Sequence, residues 1–222
     1  MWNIKIKWAF VSLIFLTIMS ACDAGLKRKK KSEALRKEMK SRELKFLTPS
    51  EIATNAYKVG DLVVKAAEKE YIERLTEMIK EKGVTYAIPY CQFNDLMLTD
   101  SLSDLYQVKI KRVSLRPRNP ENTADSLESQ LIDAYQYSID QKLSSADNLQ
   151  ELDNGDFLLT KAIVLDQTMC TQCHGTKEQI GPKNLKLIRK IYPKDQSIDF
   201  KEGDLMGMWS IHIPRKELIE AL

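Results

Sequence analysis

The stretch "MCTQCHG", residues 169–175, places Cys170 and Cys173 three apart with His174 immediately after. Cys-x-x-Cys-His is the spacing of a covalent haem attachment site. Two thiols at that separation reach vinyl groups on adjacent rings of the macrocycle. A tight turn then brings the imidazole of His174 beneath the iron as proximal ligand. Gly175 suggests a close approach of the backbone to the ring. Two other chemistries use similar residues. Cys91, Cys170, Cys173 and His174 make a Cys₃His zinc set on paper, although a histidine directly beside a cysteine is awkward for tetrahedral chelation. Cys170 and Cys173 also make a disulfide or redox dithiol, although that motif prefers a long helix starting on it, and Gly175 with Gly181-Pro182 interrupts one.

The chain's address favours haem. "MWNIKIK" is a short basic segment and "WAFVSLIFLTIMSA" an apolar one, too short for a comfortable membrane span. Together they read as a signal peptide over residues 1–21. Met-Ser-Ala before Cys22 resembles a bacterial lipobox, which predicts cleavage before Cys22, lipid on its thiol and a membrane-anchored domain on the periplasmic side. Covalent haem of this type is attached outside the cytoplasm, so motif and address agree. An uncleaved anchor and ordinary secretion are the other readings of the segment.

Charge is segregated. The 222 residues carry a net +3, yet residues 27–45 alone hold ten Lys/Arg against three Glu, leaving residues 46–222 at −5. The basic stretch from 22 to 47 reads as a solvated helix or tether that can lie on anionic headgroups. The acidic domain that follows has no basic face with base-reading aromatics, which argues against nucleic acid. At 43% apolar and 29% charged, the composition is that of a globular domain over residues 48–222.

The positioning elements follow from periodicity. Thr48-Pro49-Ser50-Glu51 starts a helix whose apolar residues recur at helical spacing to about Lys82. A short helix begins near Pro89. "YQVKIKRVSL", "DFLLTKAIVL" and "DLMGMWSIHIP" read as strands. "TADSLESQLIDAYQYSI" reads as a helix capped by Thr123, "KNLKLIRKIY" as a short helix, and "RKELIEAL" as a closing one. Helices and non-parallel strands segregate, which defines an α+β fold. A sixth iron ligand has several candidates by residue type: His212, Met169, Met206, Met208, Met97 and Cys91. Met169 is too close to the attachment turn to reach the other face, and methionines more often fill core gaps. Cys91 has no evident disulfide partner once the pair is used.

Five segments in order resemble the exported c-type haem domains of PAS-like fold, the Tll0287-like family. They are "AIPYC" (87–91), "RVSLRPRNPENTADSLE" (112–128), "CTQCHG" (170–175), "IYPKD" (191–195) and "FKEGDLMG" (200–207). Leu127 departs from the family, which usually has tryptophan there. The resemblance implies a PAS-like antiparallel sheet flanked by helices and one covalent haem c. It also implies His174 as proximal and Cys91 as distal axial ligand. Arg116 and Arg118, in its most specific loop, suit haem propionates because a guanidinium fork matches a carboxylate. Such ligation implies a redox or diatomic-gas sensor that passes its state to a separate protein partner; an electron-transfer cytochrome is the alternative. No set of catalytic acids and bases appears, so a non-enzyme is expected.

Overall fold

The computed structural model describes residues 30–33, 35–36, 47–144 and 146–220, with the side chains of residues 90–97 outside the description. The chain divides into two compact units, Met1–Leu47 and Thr48–Leu222. In the first, residues 30–33 and 35–36 are helical and exposed. The apolar segment and Cys22 lie outside the described residues. Among those that are described, no helix is long and apolar enough to cross a membrane.

The second unit is α+β. Its helices are α1 (Pro49–Lys82), α2 (Val84–Tyr106), α3 (Ser126–Asp140), α4 (Thr171–His174), α5 (Lys177–Ile180), α6 (Pro182–Ile191) and α7 (Arg215–Glu220). Its strands are β1 (Lys109–Val113), β2 (Asn148–Glu151), β3 (Phe157–Val164) and β4 (Leu205–Ile213). The strands form one antiparallel sheet in the order β1-β4-β3-β2. β4 is central and covered on both faces, which explains why it reads as a nearly continuous apolar run.

Helix α1 covers one face of the sheet. Thr48 caps it with a reciprocal capping box to Glu51, as its sequence predicts. Gly60 sits where the helix comes closest. A Cβ there would lie 2.5 Å from Leu159 Cδ2, so glycine's helix penalty of roughly 1 kcal/mol is accepted for contact. Farther along, Trp209 Nε1 donates to Glu68 at 2.9 Å. Helix α3 covers the other face, packing Ile132 and Tyr135 against Val113, Leu205 and Met208. Buried Glu128 closes the α3 capping box with Asp125, accepts from Ser210 Oγ at 2.8 Å and pairs with Lys111 Nζ at 2.7 Å.

Three local expectations change. The cap of α3 is Asp125, because Thr123 instead closes the short 3-10 turn Pro120–Asn122. The helix around Pro89 is not short: it runs 23 residues from Val84 with Pro89 inside it. β2 is a strand that the sequence reading does not contain. Leu127, the family departure, is 40% exposed, so the smaller side chain leaves no core gap.

Candidate functional site

The attachment motif is a turn of helix rather than a loop. A 3-10 turn over Thr168–Cys170 runs straight into α4, and Cys170 already has helical dihedrals. Positions i, i+3 and i+4 of a helix share a face. Cys170, Cys173 and His174 therefore point the same way, and all three line one cavity of about 580 Å³. Cys170 and Cys173 are not joined to each other as a disulfide. Burial, with Asp166 second, raises the pKa of Cys170, so its thiol keeps its proton. Among the described residues no three of His, Cys, Asp and Glu converge to hold a metal ion by themselves.

The cavity lies at one end of the sheet. β1 and β3 finish there and β4 begins there, contributing Val113, Val164, Met206 and Trp209. The last turns of α1 supply Ile72, Leu75 and Ile79, and α2 supplies Ile88. The volume and the mostly apolar lining fall within the range of small-molecule and cofactor sites. Gly207 is required at the rim, since a Cβ would stand 2.2 Å from the Val113 carbonyl oxygen.

His174 is half-buried and lines the cavity. Its Nδ1 lies 2.9 Å from both the Ser197 carbonyl and the Ser197 hydroxyl. The carbonyl can only accept, so the Nδ1 proton goes there and Nε2 keeps its lone pair. Burial, then the positive charge of Arg118, push the histidine pKa down to about 3. The ring is therefore neutral near pH 7, the form that ligates a metal.

Backbone hydrogen bonds secure this wall from three distant segments. Phe200 N–H donates to the His174 carbonyl at 3.0 Å, Asp199 N–H to that of Gly175 at 2.9 Å, and Gln196 N–H to that of Pro117 at 3.1 Å. Arg118 donates through Nη2 to the Cys173 carbonyl at 2.6 Å and the Ser197 carbonyl at 3.0 Å. The segments that carried the sequence resemblance thus meet around the attachment turn. Gly175 has a different reason from the one expected: a Cβ there would sit 2.6 Å from the Thr171 carbonyl, so it is the turn itself that needs glycine.

The other predicted residues separate. Arg118 lines the cavity, but its described bonds run to protein groups. Arg116 is exposed and not part of the lining; it stacks over Phe200 at 4.3 Å and donates to the Ile198 carbonyl. A cation missed by the sequence reading is Arg112, which lines the cavity and stacks on Tyr71 at 4.4 Å and Trp209 at 5.6 Å. Its signal was only strand alternation. Met169 and Met206 line the cavity, and Met169 Sδ accepts from Thr76 Oγ1 at 3.6 Å. Met208 is fully buried against α3 instead. His212 is five residues beyond Gly207, about 17 Å along β4, and pairs through Nε2 with Asp156 at 3.2 Å. The side chains of Cys91 and Met97 fall outside the described residues.

An apolar cavity lined by two thiols and an imidazole, on an α+β domain, is the setting of a cofactor-binding module. The chain belongs to the Tll0287-like family, whose profile matches residues 28–214. The fold is similar to the crystal structure of the cyanobacterial heme-protein Tll0287, with a TM-score of 0.56 and 20% sequence identity over 76% of this chain and 97% of that one. No curated protein matches the chain.

Proposed function

We propose that this chain is an exported haem c protein, a redox or gas sensor rather than an enzyme. The observation that carries the proposal is the convergence of two thiols and one neutral imidazole on a single wall of an apolar cavity. Cys170 and Cys173 would hold the group by thioether bonds, and His174 would face its iron through Nε2. Arg112, fixed between two aromatic rings on the lining, is the cation best placed for the carboxylates at a porphyrin edge. Family membership and the name of the similar structure support the same cofactor.

Bound haem would supply a one-electron redox centre. Cys91 would be the second residue to hold the iron. It follows Ile88, which lines the cavity, by three residues on α2, the spacing at which helix positions share a face. A thiolate there favours the oxidised state, because its negative charge neutralises the extra positive one. A thiol that takes up a proton binds iron more weakly than a thiolate, so Cys91 would be the redox-sensitive element and its release would leave room for a diatomic gas. Lipid on Cys22 would keep the domain at a membrane near a protein partner.

The test is haem retention after denaturing electrophoresis, followed by optical and EPR spectra of oxidised and reduced protein beside Cys91→Ala. Covalent haem with a low-spin thiolate signal that disappears in Cys91→Ala is the expected result. An unchanged spectrum in that variant removes Cys91 and leaves Met206 as the next described candidate, hence an electron carrier. Absence of covalent haem after expression with maturation machinery overturns the cofactor reading.

A further inference from the structure

Arg118 and Asp195 are both well buried, with side chains 15% and 5% exposed. They pair through Nε and Oδ1 at 3.2 Å. The same Oδ1 accepts from Ser197 N–H at 2.8 Å. Ser197 is the residue that receives the Nδ1 proton of His174, and its carbonyl is shared. It takes a bond from the imidazole at 2.9 Å and another from Arg118 Nη2 at 3.0 Å. Arg118, itself on the cavity lining, and Asp195 thus act together on the hydrogen-bond partner of His174.

We infer that Arg118 and Asp195 form a charge-balanced clamp that sets, through Ser197, the tautomer of His174 and the donor strength of its Nε2. The inference rests on the haem reading. A carbonyl that already accepts from a guanidinium has less electron density to offer a second donor. It pulls less on the Nδ1 proton, so the imidazole is less anionic and a weaker donor at Nε2. Asp195 opposes this by balancing the arginine's charge. Positive charge near the iron favours its reduced state and negative charge its oxidised state. The two residues therefore push in opposite directions. A merely structural pair would not, because loosening the same loop from either side disturbs His174 in the same sense.

The experiment is a redox titration of the haem-loaded full chain with Arg118→Gln, Arg118→Lys and Asp195→Asn. At a fixed potential the oxidised-to-reduced ratio rises in Arg118→Gln and falls in Asp195→Asn, each by roughly three- to tenfold. Arg118→Lys keeps the charge and stays closer to wild type than Arg118→Gln. Shifts of the same sign in Arg118→Gln and Asp195→Asn overturn the inference. Should Arg118→Gln fail to fold, an unchanged or raised ratio in Asp195→Asn overturns it alone. A second readout needs no haem: nitrogen NMR of His174 in the haem-free chain places the proton on Nδ1. A ring that carries it on Nε2 overturns the clamp even if haem binds. A wild-type chain that shows the Nδ1 tautomer but takes up no haem leaves the clamp standing and defeats the cofactor reading instead.

Discussion

The two histidines of this chain are both half-buried and both near the ends of strand β4, yet their chemistry differs. His174 gives its Nδ1 proton to a backbone carbonyl and keeps Nε2 for the cavity. His212 turns Nε2 to the carboxylate of Asp156 and leaves Nδ1 buried without a hydrogen-bond partner. The carboxylate requires an Nε2 proton, so the nitrogen that could bind metal is the one enclosed by protein. What makes a histidine a ligand is therefore where its other nitrogen is spent. Residue type alone does not separate the two.

The largest effect that sharpens this contrast comes from His174→Ala. Haem-loaded protein should lose its low-spin spectrum, whereas His212→Ala should leave it unchanged. A change in the spectrum of His212→Ala would reverse the assignment of roles. The next effect concerns the cavity end of β4. Gly207→Ala forces a methyl group against the Val113 carbonyl and should cost about 1–3 kcal/mol in denaturant unfolding, with β1 displaced at the rim. Unaltered stability would mean that the two strands separate there at no cost.

The smallest effect belongs to the packed end. The backbone N–H of Arg215, first, and then Asn154 hold the Asp156 carboxyl below the ordinary aspartate range. A depressed folded value contributes stability above the unfolded pKa, and that contribution is lost as pH falls from about 4 through the folded value. Asp156→Asn should flatten that part of the acid unfolding curve by less than about 1 kcal/mol while leaving the haem spectrum alone.

Much of this was legible in the chain. Apolar periodicity located α1, β1, β3 and β4, because each buries a face against the sheet core. The cysteine spacing located the turn that lines the cavity. β2 was not legible, since "NLQE" is a short, half-exposed edge strand with no alternating apolar set. Pro89 read as a helix start because proline favours first turns; here the helix begins five residues earlier and runs through it. Arg118 read as a propionate contact from its place in the motif loop and its guanidinium fork. Its bonds to Asp195, Cys173 and Ser197 join residues 55 to 79 positions away, which local sequence cannot announce. Arg112 was hidden for the same reason, because its aromatic neighbours come from α1 and β4.

Helix α1 joins the two halves of the domain in one rod. Its buried residues, from Ile52 to Ala67, press on the sheet, while its later turns form a cavity wall. Gly60 is the point of closest approach between this helix and the sheet. Leu75 lies about 22 Å from it on one side and Pro49 about 16 Å on the other. The cavity wall and the first turn of the domain are therefore two ends of one helix.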